Sequence, residues 1–520
     1  MAAHLEAVPE ARVVVNFAPI LLEQIEDYAQ QTRLFLEEGV PLHDPLLGAL
    51  ADPAMPSDPL KQLGLINECF RVNRERCVNR YPAYRRLWEV AEWVKGHADV
   101  LRYLSHQYLS DLVMWYHLAW IGESVKRSDA RVQHLLEKAE NFTMADRLAL
   151  MEVIGDLLAG VLSRYRLLAE RGQIELSVTP YAHPILPLIL NIGSARDAMP
   201  EVSLPLLERY PGGEERARWH IQQGIEVFRK HFGFVPVGCW PAEGGVSVEC
   251  LELLDRSGFL WAASGGNVIR QSLQRLGDAD AHCPYRPYRI RDSKLACFFR
   301  DDGLSDSIGF NYADWHADDA VADFIGHLEN IQAACPIADD RVVSIILDGE
   351  NAWEYYPENG YHFLNGLYRR LSTHPLIELT TFSACLDQIP VPRTLPSLLA
   401  GSWVYGTFST WIGDAEKNRG WDMLGDAKRC FDRRIGHLND MHRRHAERQL
   451  AICEGSDWFW WFGDYNPADV VSDFERLFRM NLAHLYLILG EAPPDYLTEV
   501  FTHGAGTPAK GGTMRHGNLS

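Results

Sequence analysis

Six short strand-like runs constrain how this chain can fold. They occupy residues 12–17, 175–179, 236–240, 260–263, 296–299 and 342–347. Sequence with helical periodicity separates them, including a helix that Ser247 would cap and Gly258 would stop. Repeated strand–helix–strand units with long connections predict a parallel β/α sheet. In such folds chemistry gathers at the carboxyl ends of the strands, so the residues just past each run are the ones to inspect.

Outside these runs the pattern is mostly helical. Pro19 opens a helix through Leu21, Leu22 and Ile25, and residues 60–170 keep helical spacing throughout. That long stretch between strands reads as an insertion beside a barrel. A Pro-rich segment at 386–400, with Pro390, Pro392 and Pro396, marks a boundary. The expected organisation is therefore a β/α unit over 1–390, a helical domain over 391–500, and a Gly- and Thr-rich disordered tail over 501–520.

The balance of charge narrows the partners. A formal charge of −20 argues against nucleic acid or an anionic membrane surface and suits a neutral polymer. No run approaches the roughly 18 apolar residues of a membrane span. The segment Met1-Ala2-Ala3-His4-Leu5-Glu6 has no basic region leading into an apolar one, so the expected location is cytoplasmic. The 10 cysteines include no Cys-x-x-Cys pair, which predicts reduced thiols and no structural zinc.

Several strand ends carry groups that packing does not call for. Glu243 follows Gly238-Cys239-Trp240-Pro241-Ala242, placing a carboxylate beside an aromatic ring; as a helix-start glutamate it would also suit the macrodipole. Asp301, Asp302 and Asp306 follow the run at 296–299, next to Arg300. Asp348, Glu350, Asn351, Trp353 and Glu354 follow the run at 342–347. His183 sits in a Pro-bounded loop after the run at 175–179. Trp403 and Trp411, and farther on Trp458, Trp460 and Trp461, are bracketed by Gly and Asp, as at exposed or cleft-lining turns, with core packing the alternative fate for about half of the rings. Two carboxylates on different strand ends are what glycosidic-bond cleavage needs: one attacks or stabilises the sugar carbon while the other protonates the departing oxygen.

Together these segments resemble glycoside hydrolase family 57, in its amylopullulanase-like branch. The likeness is collinear from Asn16-Phe17-Ala18-Pro19 to the Ser456–Asp464 segment and beyond. It implies an incomplete TIM-like barrel of (β/α)7 type, a long helical insertion, and a C-terminal helical domain completing the cleft. It also implies retaining action on α-glucan oligo- or polysaccharides without metal or organic cofactor. Glu243 matches the nucleophile in Gly-x-Trp-x-x-Glu. Asp301 matches the acid/base in Phe-Arg-Asp-x-x-Leu-Ser-Asp, with Asp302 and Asp306 as alternatives. His183, Trp240, Asp306, Glu350, Trp353, Trp403, Trp411, Trp458 and Trp460 are the implied substrate-binding residues. The family's opening His-Gln-Pro motif has no counterpart, since His4 is followed by Leu5-Glu6. The resemblance therefore implies a missing first barrel strand and sugar-lining histidine, through a truncated start or a degenerate member. Two other outcomes share the same motifs: a catalytically silent glucan binder, and an α-glucan transferase or branching activity. A metal-dependent hydrolase or deacetylase on a similar barrel would need clustered Asp and His ligands, whereas the 20 histidines here are mostly dispersed.

Overall fold

The computed structural model describes residues 1–95, 97–278, 284–334, 341–349, 351–389 and 392–506. Its centre is a 7-stranded sheet. The strands are β1 (Val13–Phe17), β2 (Ile174–Val178), β3 (Gly238–Cys239), β4 (Trp261–Ser264), β5 (Tyr288–Ile290), β6 (Ala296–Phe299) and β7 (Arg393–Leu395). Their order is β1-β2-β3-β4-β6-β5-β7. The run from β1 through β2, β3 and β4 to β6 is parallel throughout, while β5 lies antiparallel to β6 and parallel to β7. This is the incomplete TIM-like barrel with mostly helical surroundings.

Side-chain alternation along β4 and β6 sorts residues between two apolar layers. Trp261, Ala263, Ala296 and Phe298 point into the inner layer, whereas Ala262, Cys297 and Phe299 join the large core beneath the outer helices. The helix Phe382–Gln388 plugs the inner layer. Its Phe382 stacks on Phe298 at 4.2 Å and meets Trp261 at 4.6 Å. Glu175 on β2 fastens the plug, accepting hydrogen bonds from the Trp261 indole (2.6 Å) and from the Ser383 hydroxyl (2.6 Å) and amide (3.0 Å). The pairing of β3 with β4 depends on Gly238, because a Cβ there would lie 2.0 Å from the Trp261 ring.

The helical insertion has a core of its own, running from Leu47 to Val153. Its last helix, Met144–Glu170, opens with a capping box formed by Thr143 and Asp146. The far end of this helix returns to the barrel, where Leu162, Tyr165 and Leu168 pack on the main core.

Three expectations shift in position. The run at 342–347 is no regular strand: it touches β6 through an isolated bridge between Ser344 and Arg300. The boundary expected at 390 falls short of the sheet's end, because β7 pairs with β5 and Gly401 bridges Val246. The tail expected from 501 begins inside packed structure. Thr502 is buried, and Gly506 donates its amide to the Asn466 carbonyl at 3.0 Å. Residues 507–520 lie outside the described residues.

Candidate active site

Glu243 stands four residues past β3, in the short 3-10 turn Ala242–Gly244. Its backbone is left-handed, with φ 56° and ψ 26°, and Gly244 follows at φ 59°. A non-glycine residue held there stores on the order of 1–3 kcal/mol of strain, which surrounding contacts must sustain. Those contacts come from far along the chain. The Trp403 indole N–H donates to Glu243 Oε2 at 2.9 Å, and the Trp403 amide donates to the Glu243 carbonyl at 3.1 Å. His183 brings Nε2 to 3.9 Å from Oε1. The Glu243 side chain retains 14% exposure, so its carboxylate is accessible yet mostly shielded.

His183 is clamped in turn. It also has a left-handed backbone, at φ 60°. Its Nδ1 lies 2.7 Å from the hydroxyl of buried Ser456, whose amide donates to the His183 carbonyl at 3.0 Å. Beneath this clamp sits a buried ionic cluster. Glu454 accepts from Arg216 at 2.9 and 2.7 Å, from the Tyr210 hydroxyl at 2.6 Å, and from His220 Nε2 at 2.8 Å. Burial alone would raise the Glu454 carboxyl, but Arg216 and His220 outweigh it and hold it well below the ordinary value. Burial lowers His220 against the opposing pull of Glu454. Neutral imidazole fits the geometry: Nε2–H donates to Glu454, and Nδ1 accepts the Ala182 amide at 3.4 Å. One cluster thus joins the helix Gly213–Phe232, the loop carrying His183 and the turn carrying Ser456.

The three aspartates past β6 occupy different surroundings. Asp302 is buried between two guanidiniums, bonded to Arg300 at 3.2 Å and in close contact with Arg270. Burial raises its carboxyl while Arg300 and Arg270 pull the other way. Asp306 pairs with Arg300 at 2.7 Å. Asp301 has no cationic partner among the described residues. It caps the short helix Asp302–Asp306, taking the Leu304 amide on Oδ1 at 2.7 Å and the Tyr285 hydroxyl on Oδ2 at 2.8 Å. The Arg300 guanidinium, occupied by both neighbouring acids, lies 5.3 Å from the centre of the Trp403 ring.

Both acidic segments therefore open on one rim. β3 and β6 each pair with β4, so they lie two strand spacings apart, about 10 Å at the backbone. Trp403 spans the interval, with its indole nitrogen on Glu243 and its face toward Arg300. Trp240 meets it edge-on at 5.1 Å. Contacts thus run from His183 through Glu243 to Trp403 and Trp240, and from Trp403 through Arg300 to Asp306, while Asp301 follows Arg300 in the chain with its carboxylate on Leu304 and Tyr285.

The remaining expected residues fall elsewhere. Trp411 is fully buried, and its carbonyl accepts the Trp421 indole N–H at 3.0 Å. Trp460 packs on Trp411 at 5.7 Å and is 9% exposed. Trp458 donates to the Ile452 carbonyl and lies among Phe474 and Phe478. Trp411 and Trp460 are thus core rings, and Trp458 is half-buried against the C-terminal helices. Trp353 is half-buried against Tyr356 and Phe363. Glu350 lies outside the described residues. Tyr285 and Ser456 were missed by sequence reasoning. Tyr285 sits in a Pro-flanked stretch with no acidic signal, and Ser456 reads as an ordinary helix start.

Comparison with known proteins gives this arrangement a lineage. The model of glycosyl hydrolase family 57 matches residues 48–397. Among solved structures, the GH57-type branching enzyme of the hyperthermophilic archaeon Pyrococcus horikoshii is 16% identical with a TM-score of 0.55, covering 95% of this chain and 86% of that one. A GH57 branching enzyme of Thermococcus kodakaraensis is 15% identical with a TM-score of 0.51, covering 92% and 90%. An α-amylase of Thermotoga maritima is 14% identical with a TM-score of 0.53, covering 96% and 88%. At these identities the likeness is one of fold. No curated protein sequence matches the chain. The family match spans more than half of the sequence, and on that ground the chain belongs to glycosyl hydrolase family 57.

Proposed function

We propose that the protein cleaves α-glucans such as amylose, starch, glycogen or pullulan by a retaining double displacement. Glu243 attacks the anomeric carbon while the glycosidic C–O bond breaks, and the departing oxygen takes a proton from Asp301. Asp301 then deprotonates water or an acceptor sugar hydroxyl, whose oxygen displaces Glu243 from the sugar. Two inversions at one carbon retain its configuration.

The observation that carries this reading is the strained, chaperoned position of Glu243: left-handed backbone, an indole donor on one oxygen and His183 facing the other. Asp301 is favoured over Asp302 and Asp306 because those two are tied to guanidiniums, whereas its own partners are neutral donors. A carboxyl that must give and regain a proton works against a permanent cation at hydrogen-bond distance. That the structural relatives are branching enzymes and an α-amylase supports α-glucan as the substrate class. A cytoplasmic location is consistent with eight free, buried cysteines among the described residues.

Replacing Glu243 with Gln is expected to abolish turnover of amylose and pullulan. Activity surviving within about tenfold, a barrier change of only about 1.4 kcal/mol, removes Glu243 as nucleophile. Proton NMR of the first-formed product checks retention, and added acceptor sugar separates hydrolysis from transfer.

A further inference from the structure

We infer that a pocket beneath Trp315 is a second carbohydrate site, taking a stretch of neutral glucan apart from the catalytic rim. The inference rests on the α-glucan reading above. The pocket has a volume of about 550 Å³, within the roughly 300–1,000 Å³ usual for ligand sites. Its wall begins at Ser307, immediately after Asp306, and continues through the turn to Trp315 and onto the helix Ala317–Ala334.

Trp315 is the first reason. The residue is 47% exposed, whereas Tyr312 and Phe324 are buried and Phe310, also on the wall, is half-buried. Tyr312 supports the Trp315 ring edge-on at 5.3 Å. A flat indole left to water but fixed by a buried neighbour is a preformed platform, and occupying it costs little side-chain entropy.

The polar groups are the second reason. Tyr312 donates its hydroxyl to Asp323 Oδ2 at 2.7 Å, and His327 Nε2 lies 3.5 Å from the same oxygen. Both contacts fall on one oxygen of Asp323, whose side chain is 38% exposed. Asn311, also on the wall, is exposed. The pocket thus offers an apolar plate at one side and a carboxylate, an imidazole and an amide at the other. A pyranose has the complementary form, with an axial C–H face and a girdle of hydroxyls that both donate and accept. An anionic ligand is disfavoured, since Asp314 and Asp323 both line the wall. A cationic one gains little at Asp314, which already pairs with Arg76 at 3.5 Å.

The test measures binding separately from turnover. Wild type, Trp315→Ala and Trp315→Phe are run in native gels containing amylopectin, and each is assayed on maltotriose. Trp315→Ala is expected to lose about tenfold in polymer retention, the scale of one lost stacking contact, with Trp315→Phe restoring most of it. Maltotriose turnover should not change. Retention of Trp315→Ala equal to wild type overturns the second site, and so does a wild type that cleaves glucan without being retained. In both cases the catalytic reading stands if Glu243→Gln is inactive. A protein that neither binds nor cleaves any α-glucan defeats both.

Discussion

Glu243 is held by groups that its own stretch of chain does not supply, and this decides what single substitutions should do. Trp403→Phe keeps a ring against Trp240 but removes the donor to Oε2. A hydrogen bond to a charged group contributes about 1.5–3 kcal/mol, so kcat should fall about 10- to 100-fold with folding intact. A kcat within twofold of wild type would show that the indole N–H has no catalytic consequence. At this scale the sequence was a partial guide. An acid just past an apolar strand is legible, and so is a histidine in a Pro-bounded loop. Trp403 meets Glu243, whereas Trp411 and Trp460 pack in the core, where the residues that bracket them have other work. Gly413 and Gly463 take positive φ at turns, and Asp414 caps the helix Ala415–Arg434 through the Glu416 amide. Glycines and acids beside a ring can mark a helix boundary as readily as a cleft.

At the scale of elements, the sheet is legible where a run is apolar on at least one face. The run at 296–299 coincides with β6, and β4 and β2 lie within one or two residues of expectation. The run at 342–347 fails to become a strand because much of its bonding goes to side chains. The Ile346 amide donates to Ser305 Oγ, and the Ile346 carbonyl accepts Arg300 Nε. β5 and β7 escaped notice because three residues carrying Arg and Thr show no period. The narrow β3 yields a stability prediction. Gly238→Ala drives a methyl into the Trp261 ring, which must shift and loosen its bond to Glu175. Overpacking of this kind costs about 1–3 kcal/mol, and a denaturant midpoint equal to wild type would contradict that placement.

For the whole molecule, the Glu454 cluster joins barrel to C-terminal helices and sets an acid limit. Glu454 is held low, so the folded state binds fewer protons than the unfolded chain once pH drops into the carboxylate range. Its contribution is complete above the unfolded value of about 4.3 and is lost as pH falls from there toward the folded value. His220 is also lowered, so its share begins to fade below about 6.5. Melting temperature should therefore decline from mildly acidic pH downward, and Glu454→Gln should flatten the lower part of that slope. Parallel slopes for the two proteins would show that the cluster does not govern acid stability.

The Ser456 clamp has a consequence in time. It meets His183 across 273 residues of sequence. At about 5–20 residues per second, a ribosome needs on the order of 15–55 s to travel from one to the other. Glu243 and His183 emerge into the cell well before Trp403 and Ser456, the residues that hold them, and the nascent polypeptide should stay inert toward sugar until its later helices clear the exit tunnel.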